Sequence, residues 1–354
     1  MKISEIISES QLDEVNMSPS ALAGFASTDA AQSMMIGFEA EFLVKNLETS
    51  GAIHKLKNKI MPGGEKIIKV SQLVNSWSEF SGYQARVTNL HNPLINHGFF
   101  KNRKPGIFDF EPDSTIDTDD DTNPLHREWG GIELISPPMP LAEGLAALDK
   151  FYAWASTNKF ATNTSTGFHV GVSLPGHNME SFDPLKVIVL LGDQHVLDTF
   201  DRGKNEWSAP ISKILNRVVK NKPVELANQL RSNMKAVAAK LFSRVLDRTD
   251  KGISVNFRKN YIEFRSAGGD YLNKQEDIKN TVLRYVQVLA AASNPEAYKQ
   301  EYAKKLYKII SAKFPQKDST IDAFVQYSAG LIGPEQLKTN VKNLTTSSQN
   351  NGKN

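Results

Sequence analysis

The chain has 354 residues, 40% hydrophobic and 23% charged; that composition excludes a disordered or fibrous protein, and the length allows a sizeable core in one large domain or two ordinary ones. A formal charge of only +3 supplies no field that would argue for nucleic acid or an anionic membrane as partner. There is no cysteine, which removes disulfides, thiolate zinc sites and thiol nucleophiles together and suits a reducing cytoplasm.

The opening MKISEIISESQLDEV sets Ile3, Ile6, Ile7, Leu12 and Val15 at helical spacing among Glu5, Glu9, Asp13 and Glu14. This predicts an amphipathic helix and argues against a secretory or mitochondrial leader. Similar starts occur in phage-encoded proteins, for which the compartment would be the host cytoplasm. Ser18 to Ser33, rich in Ser, Ala and Thr, reads as a linker or a loosely held helix. Residues 1–33 are therefore expected to form an N-terminal helix and linker, 34–344 the main domain with a helical C-terminal part, and 345–354 a disordered tail. The densest apolar run, Val187 to Leu191, is far short of a membrane span.

The first strand is predicted at MMIGFEAEFLV. A turn signal at Pro62-Gly63-Gly64 and an amphipathic helix over about Ile67 to Phe80 follow. DFEPDSTIDTDDD reads as an acidic loop. GIELIS is a second strand, stopped by Pro137 and Pro138; Pro140 opens a helix over about Leu141 to Thr157, and GFHVGVSL is a third strand. Pro184 to Arg248 reads as mostly helical. GISVNF and YIEFRSA form a hairpin through Arg258-Lys259-Asn260, and the chain is helical again from about Lys274 to Leu344. This order predicts the α+β class, with a mainly antiparallel sheet rather than a doubly wound one.

The strands share a pattern. Alternate side chains point to opposite faces, so Phe38, Ala40, Phe42 and Val44 oppose Glu39 and Glu41, and Ile132 and Leu134 oppose Glu133. Phe168, Val170, Val172 and Leu174 oppose His169, Gly171 and Ser173; Ile253, Val255 and Phe257 oppose Ser254 and Asn256; Ile262 and Phe264 oppose Glu263 and Arg265. Such alternation ordinarily marks the wet face of a half-exposed sheet. Here Glu dominates that face, and like charges side by side destabilise a sheet. Glu39 and Glu41 stand about 6.5–7 Å apart along one strand, a spacing at which a cation would relieve their repulsion. Oxygen ligands with one imidazole and no sulfur select Mg²⁺ or Mn²⁺.

GFEAEFLV resembles the G-x-E-x-E-F strand that opens the amidoligases, relatives of glutamine synthetase and glutamate–cysteine ligase. Asp113-Ser114 with GIELISPPMP, STGFHVGVSL, and SVNF with YIEFRSAGG are similar to the blocks that follow, in family order from Gly37 to Gly269. The resemblance implies a glutamine-synthetase-like catalytic fold: a curved sheet with one carboxylate-lined face and helices on the other. It implies an ATP-dependent carboxylate–amine ligase working through an acyl phosphate, with a carboxylate and an amine (small molecule or peptide) as substrates. Glu39, Glu41, Glu133 and Glu263 would bind Mg²⁺ or Mn²⁺, Glu41 also facing the amine, and His169 would sit beside metal and ATP phosphates. Arg265 would hold the transferred phosphoryl group, Asn256 would support substrate or nucleotide, and Arg202 would make a further phosphate contact. Gly171 departs from the family, many of whose members carry a second His there. The segment Gly51 to Gly106 is placed to act as a lid.

Two other classes use the same residues: a two-metal phosphoester hydrolase, and a non-catalytic relative that binds a partner. Retention of both first-strand acids, His169 and the Glu263/Arg265 pair weighs against the latter. Asp117, Asp119, Asp121, Asn123 and Glu128 fit places of an EF-hand loop, but Thr122 stands where Gly is needed and Pro124 follows, so a solvated acidic loop is preferred. His54, His91, His97, His126, His177 and His195 stand in no ligand spacing. P-loop, dinucleotide-binding, nucleophile-elbow and HExxH motifs are absent.

Overall fold

The computed structural model describes residues 18–47, 68–88, 106–113, 115–116, 129–177, 184–203, 254–258, 260–294, 297–298, 301–302, 305, 332–333, 335–336 and 339. In chain order these form helices α1 (Pro19–Ala26) and α2 (Asp29–Gln32), strand β1 (Met35–Lys45), helix α3 (Val70–Ser81), and strands β2 (Gln84–Val87), β3 (Ile107–Pro112), β4 (Trp129–Ile135) and β5 (Met139–Pro140). Then follow helix α4 (Leu141–Thr157), strand β6 (Gly167–Ser173), helices α5 (Pro184–Leu191) and α6 (Asp193–Thr199), strands β7 (Val255–Phe257) and β8 (Ile262–Gly268), a 3-10 turn (Tyr271–Asn273) and helix α7 (Gln275–Ser293).

The strands form one open sheet in the order β2-β3-β4-β1-β6-β8-β7, with β5 alongside β1. All pairings are antiparallel except β2 with β3. The protein is therefore α+β with a mixed, mostly antiparallel sheet. No helix among the described residues is long and apolar enough to cross a membrane.

One face of the sheet is the core. Phe38, Ala40, Phe42 and Val44 of β1 are all buried, and so are Phe108 and Phe110 of β3, Ile132 and Leu134 of β4, Phe168, Val170 and Val172 of β6, and Ile262 and Phe264 of β8. Helices cover them. Phe42 stacks on Phe160 at 4.9 Å between ring centroids and meets Trp154 of α4 edge-on at 6.0 Å. Trp77 of α3 packs against Trp154 and Phe108 at 5.3 and 5.1 Å. Phe264 stacks flat on Tyr285 of α7 at 4.1 Å. Burial of such aromatic pairs is the main stabilising contribution here.

Two local devices shape the sheet. Where β4 ends at Ile135, Ser136 takes over the ladder: its Oγ accepts from the Phe38 N–H and its own N–H donates to the Phe38 carbonyl, both at 2.8 Å. The second is a bulge in β8. Val170 pairs with Phe264 and Phe168 with Ala267, so Arg265 and Ser266 together face the single residue His169. Alternation puts Arg265 on the face of Glu263, and the extra residue returns Ala267 to the core face.

Several expectations are corrected. The acidic stretch is not all loop: Ile107–Pro112 is β3, because Phe108 and Phe110 alternate inward and the strand pairs on both sides, with β2 and β4. β2 was not foreseen, since only the parallel ladder to β3 holds its four residues. The helical run expected from Pro184 is broken at Gly192, whose φ of 62° is left-handed, into α5 and α6. The Ser/Ala/Thr-rich stretch forms α1 and α2, with Leu22 and Ala31 buried and α1 against α7. Within the expected lid, α3 and β2 belong to the packed body; residues 48–67 and 89–105 lie outside the described residues, as do the EF-hand-like stretch from Asp117 to Glu128, the leader, the tail and residues 204–253.

Phe42→Ala and Phe264→Ala should each lower stability by about 3–5 kcal/mol, because both delete a fully buried, stacked ring. Denaturant midpoints within error of wild type would mean that the two faces of the sheet are assigned the wrong way round.

Candidate active site

The face opposite the core collects the acids. Glu41 on β1 lies directly opposite Glu133 on β4, and Glu133 lies directly opposite Glu111 on β3. Three carboxylates thus stand in a row across three adjacent strands. Glu39, one pleat along β1, lies opposite His169 on β6. Glu263 on β8 lies opposite Gly171 on one side and Asn256 of β7 on the other. Of the residues expected at the site, Glu39, Glu41, Glu133, His169, Asn256, Glu263 and Arg265 share this face, and Arg202 lies buried at its end.

The imidazole sits between two carboxylates: His169 Nδ1 is 3.2 Å from Glu39 Oε2, and Nε2 is 3.9 Å from Glu41 Oε1. Burial, reinforced by the nearby Arg265 charge, pulls the His169 pKa down to about 4. The ring is neutral at physiological pH and offers one lone pair and one N–H, as a ligand imidazole must. Glu41 Oε2 accepts from the Gly167 N–H at 2.6 Å. A Cβ at Gly167 would come within 2.6 Å of His169 Nε2 and 3.1 Å of Glu41 Oε2, so only glycine lets the backbone approach this closely.

Glu133 carries the largest electrostatic load. Burial first, then the carboxylates of Glu39, Glu41, Asp113 and Glu111, push its pKa well above the usual glutamate range. Two overlapping ligand sets result, Glu39–His169–Glu263 and Glu41–Glu133–His169, each with one ligand atom per residue within 4.8 Å of the others. A neutral imidazole among opposed carboxylates fits hard divalent cations such as Mg²⁺ or Mn²⁺.

The other end of the face is cationic. Arg265 donates to Glu263 Oε1 at 2.6 Å, while Asn256 and Arg258 donate to Oε2. The Arg265 N–H bonds the Ser254 carbonyl at 2.7 Å, and Ser254 Oγ in turn donates to the buried Asp193 at 2.9 Å. Arg202 spends its guanidinium on the bulge, donating to the carbonyls of Ala267 and Arg265. Burial lowers its pKa to about 10, against the opposing pull of Glu41, so it keeps its charge. Gly268, at φ +149°, is needed because any Cβ there would strike that guanidinium. The second-His position, Gly171, lies between Gly37 and Glu263, so neither β1 nor β6 puts a side chain beside Glu263 at that level.

Sequence reasoning missed Glu111, and named Asp113 in a family block without giving it a role. The signal was present: Phe108 and Phe110 alternate with Asp109 and Glu111 as in the other strands. The run of acids and Pro112 masked it as a loop.

Residues 32–201 match the model of a family described as "putative amidoligase enzyme". The matched region runs from the last residue of α2 through α6. That region includes Glu39, Glu41, Glu111, Glu133 and His169, whereas Arg202, Asn256, Glu263 and Arg265 lie beyond it. No curated protein matches the chain.

Glu133→Gln should raise the melting temperature of the metal-free protein in a chelator at pH 7–8, because the wild type holds there a carboxylate whose pKa is raised in the fold. A raised folded-state pKa contributes stability at low pH that is lost as pH rises through it. The advantage of the variant should therefore shrink as pH falls towards the ordinary glutamate range. A variant less stable than wild type at every pH would contradict the assignment.

Proposed function

We propose that the protein is an ATP-dependent carboxylate–amine ligase that forms an amide through an acyl phosphate, and that its sheet is of the glutamine-synthetase-like kind. The observation that carries this reading is the row Glu41–Glu133–Glu111 continued by Glu39, His169 and the Glu263–Arg265 pair on one face. The amidoligase-family match over residues 32–201 supports it.

In this reading the carboxylate row and His169 hold Mg²⁺ or Mn²⁺, which would supply charge neutralisation to the ATP phosphates. Glu39, Glu41, Glu133, His169 and Glu263 would hold it. Arg265, on the same strand face as Glu263, steadies the equatorial oxygens of the transferred group. The carboxylate substrate's oxygen forms a bond to the γ-phosphorus as the bond from that phosphorus to the β-phosphate oxygen breaks, releasing ADP. The amine nitrogen then attacks the acyl carbon, the bond to phosphate breaks, and the amine proton passes to Glu41. Arg202 acts from behind, holding the bulge at Arg265, and Asn256 orients Glu263. Water must be excluded, or the intermediate hydrolyses.

Glu39→Gln and Glu41→Gln should fold normally and lose Mg²⁺-dependent nucleotide binding, since each removes ligand charge without changing strand shape. Unchanged Mg·ATP affinity in both variants would sink their metal role. The mechanism is tested by trapping: with ATP, Mg²⁺ and a mixture of carboxylates, hydroxylamine in place of the amine should yield a hydroxamate. Arg265→Lys should depress that yield strongly, because one ammonium cannot reproduce the two-point grip of a guanidinium. Cleavage of a phosphoester without ATP, abolished by Glu39→Gln, would instead establish a two-metal hydrolase. Neither product and no ADP would leave a binding protein.

A further inference from the structure

The Glu263 carboxylate is loaded unevenly. Its side chain is only 4% exposed. Oε1 accepts from Arg265 at 2.6 Å, and Oε2 accepts from Asn256 Nδ2 at 3.2 Å, Arg258 Nε at 3.2 Å and Arg258 NH2 at 3.0 Å. A carboxylate oxygen offers about two lone-pair directions, so Oε2 is shared among more N–H groups than it has directions for. A cation of the Glu39–His169–Glu263 set bound through Oε2 displaces one of those donors.

The three side chains differ in how firmly they are held. Arg265 is 20% exposed, and its backbone is fixed in the bulge by the bond to Ser254. Asn256 stands within β7, directly opposite Glu263, and is short. Arg258 lies just past the end of β7, in the turn to β8, and its side chain is 36% exposed. Its backbone N–H bonds the Tyr261 carbonyl at 2.9 Å, so the turn keeps its shape whatever the side chain does. Among the described residues its guanidinium donates to Glu263 alone. Arg258 is therefore the donor that can leave, and on leaving it presents two parallel N–H groups beside Arg265.

We propose that Arg258 is an anion-binding residue of the site: it caps Glu263 while the site is empty and moves to a phosphate or carboxylate group of the ligand when a divalent cation takes its place. This rests on the ligase reading for the identity of the ligand. The exchange conserves local charge, since a cation replaces a guanidinium on Glu263 and the guanidinium meets an incoming anion. A planar fork suits either oxyanion.

The role predicts opposite shifts in two bindings, which a merely structural ion pair would not produce. Titrated with Mn²⁺ alone and followed by the loss of the free-ion EPR signal, Arg258→Ala should bind Mn²⁺ about threefold to tenfold more tightly than wild type, because a competitor has been removed. With Mg²⁺ present, the same variant should bind inorganic pyrophosphate or a non-hydrolysable ATP analogue about tenfold more weakly by calorimetry. Arg258→Lys, which keeps the charge but not the fork, should fall between the two on both measurements and stands in should Arg258→Ala not fold.

Tighter Mn²⁺ with weaker pyrophosphate assigns the anion to the nucleotide. Tighter Mn²⁺ with unchanged pyrophosphate and weaker glutarate assigns it to a carboxylate substrate. Mn²⁺ affinity that is unchanged or falls, or anion binding unchanged for both probes, overturns the proposal while leaving the ligase reading intact if wild type binds Mn²⁺ and the ATP analogue. A wild type that binds neither overturns the ligase reading, and this proposal with it.

Discussion

Like charges directly opposite one another across a sheet repel, and this protein places three such carboxylates, Glu41, Glu133 and Glu111, in register on adjacent strands. Nothing in the local sequence of these strands requires it; each would form with a polar residue of another kind. The arrangement persists because the opposite face compensates. Behind Glu41 stands the Phe42, Trp154, Phe151 and Phe160 cluster, and behind Glu111 stand Phe108 and Phe110 against Trp77 and Trp154. A stacked aromatic layer on one side of each strand thus offsets repulsion on the other, and strand alternation makes both properties of the same few residues.

The cationic end of the face begins with the same alternation, which puts Arg265 two residues past Glu263 on one face. The bulge opposite His169 then breaks that period and returns Ala267 to the core. Arg202 donates to the carbonyls of Arg265 and Ala267 at this bulge. Removing Arg202 would leave those carbonyls without that donor and the bulge without a brace. Its effect on the site is mechanical, even though its charge also bears on Glu41 and Arg265.

Much of this was legible in the sequence wherever period-two alternation carried enough contrast. Phe38 to Val44 against Glu39 and Glu41, and Ile262 and Phe264 against Glu263 and Arg265, reveal both strand and face. The signal failed in two circumstances. In β3 the alternation is present, but acids and a proline outnumber the inward residues, and the local composition reads as loop. In β2 it is absent: Gln84–Val87 is held by a parallel ladder to β3 that no short stretch encodes. The register that brings Glu111 opposite Glu133 is a tertiary fact, as is the bulge, which depends on pairing between strands far apart in the chain. The sequence resemblance reached Glu263 and Arg265, but no pattern singled out Arg258, which donates twice to Glu263 Oε2.

The family match ends at residue 201, yet the face does not. Its carboxylates and imidazole from Glu39 to His169 lie inside the matched region, while the arginines and Glu263 lie after it. Two segments separated by a long stretch of chain must therefore be held in register to a fraction of a side chain. The antiparallel β6–β8 ladder does this, and a small bonded contact closes its end. Thr166, immediately before β6, donates its hydroxyl to the carbonyls of Asn163 and Gly269, at 2.8 and 3.0 Å, and its carbonyl accepts from the Gly269 N–H at 2.8 Å. The next residue, Gly167, donates to Glu41, and Gly268 makes room for Arg202. One strand end thus ties Glu41, through Gly167, to the Gly268-Gly269 pair beside Arg202. The two parts of the face are held together because the ladder between β6 and β8 ends where Gly167 lies opposite Gly268 and Thr166 bonds Gly269 on both backbone groups.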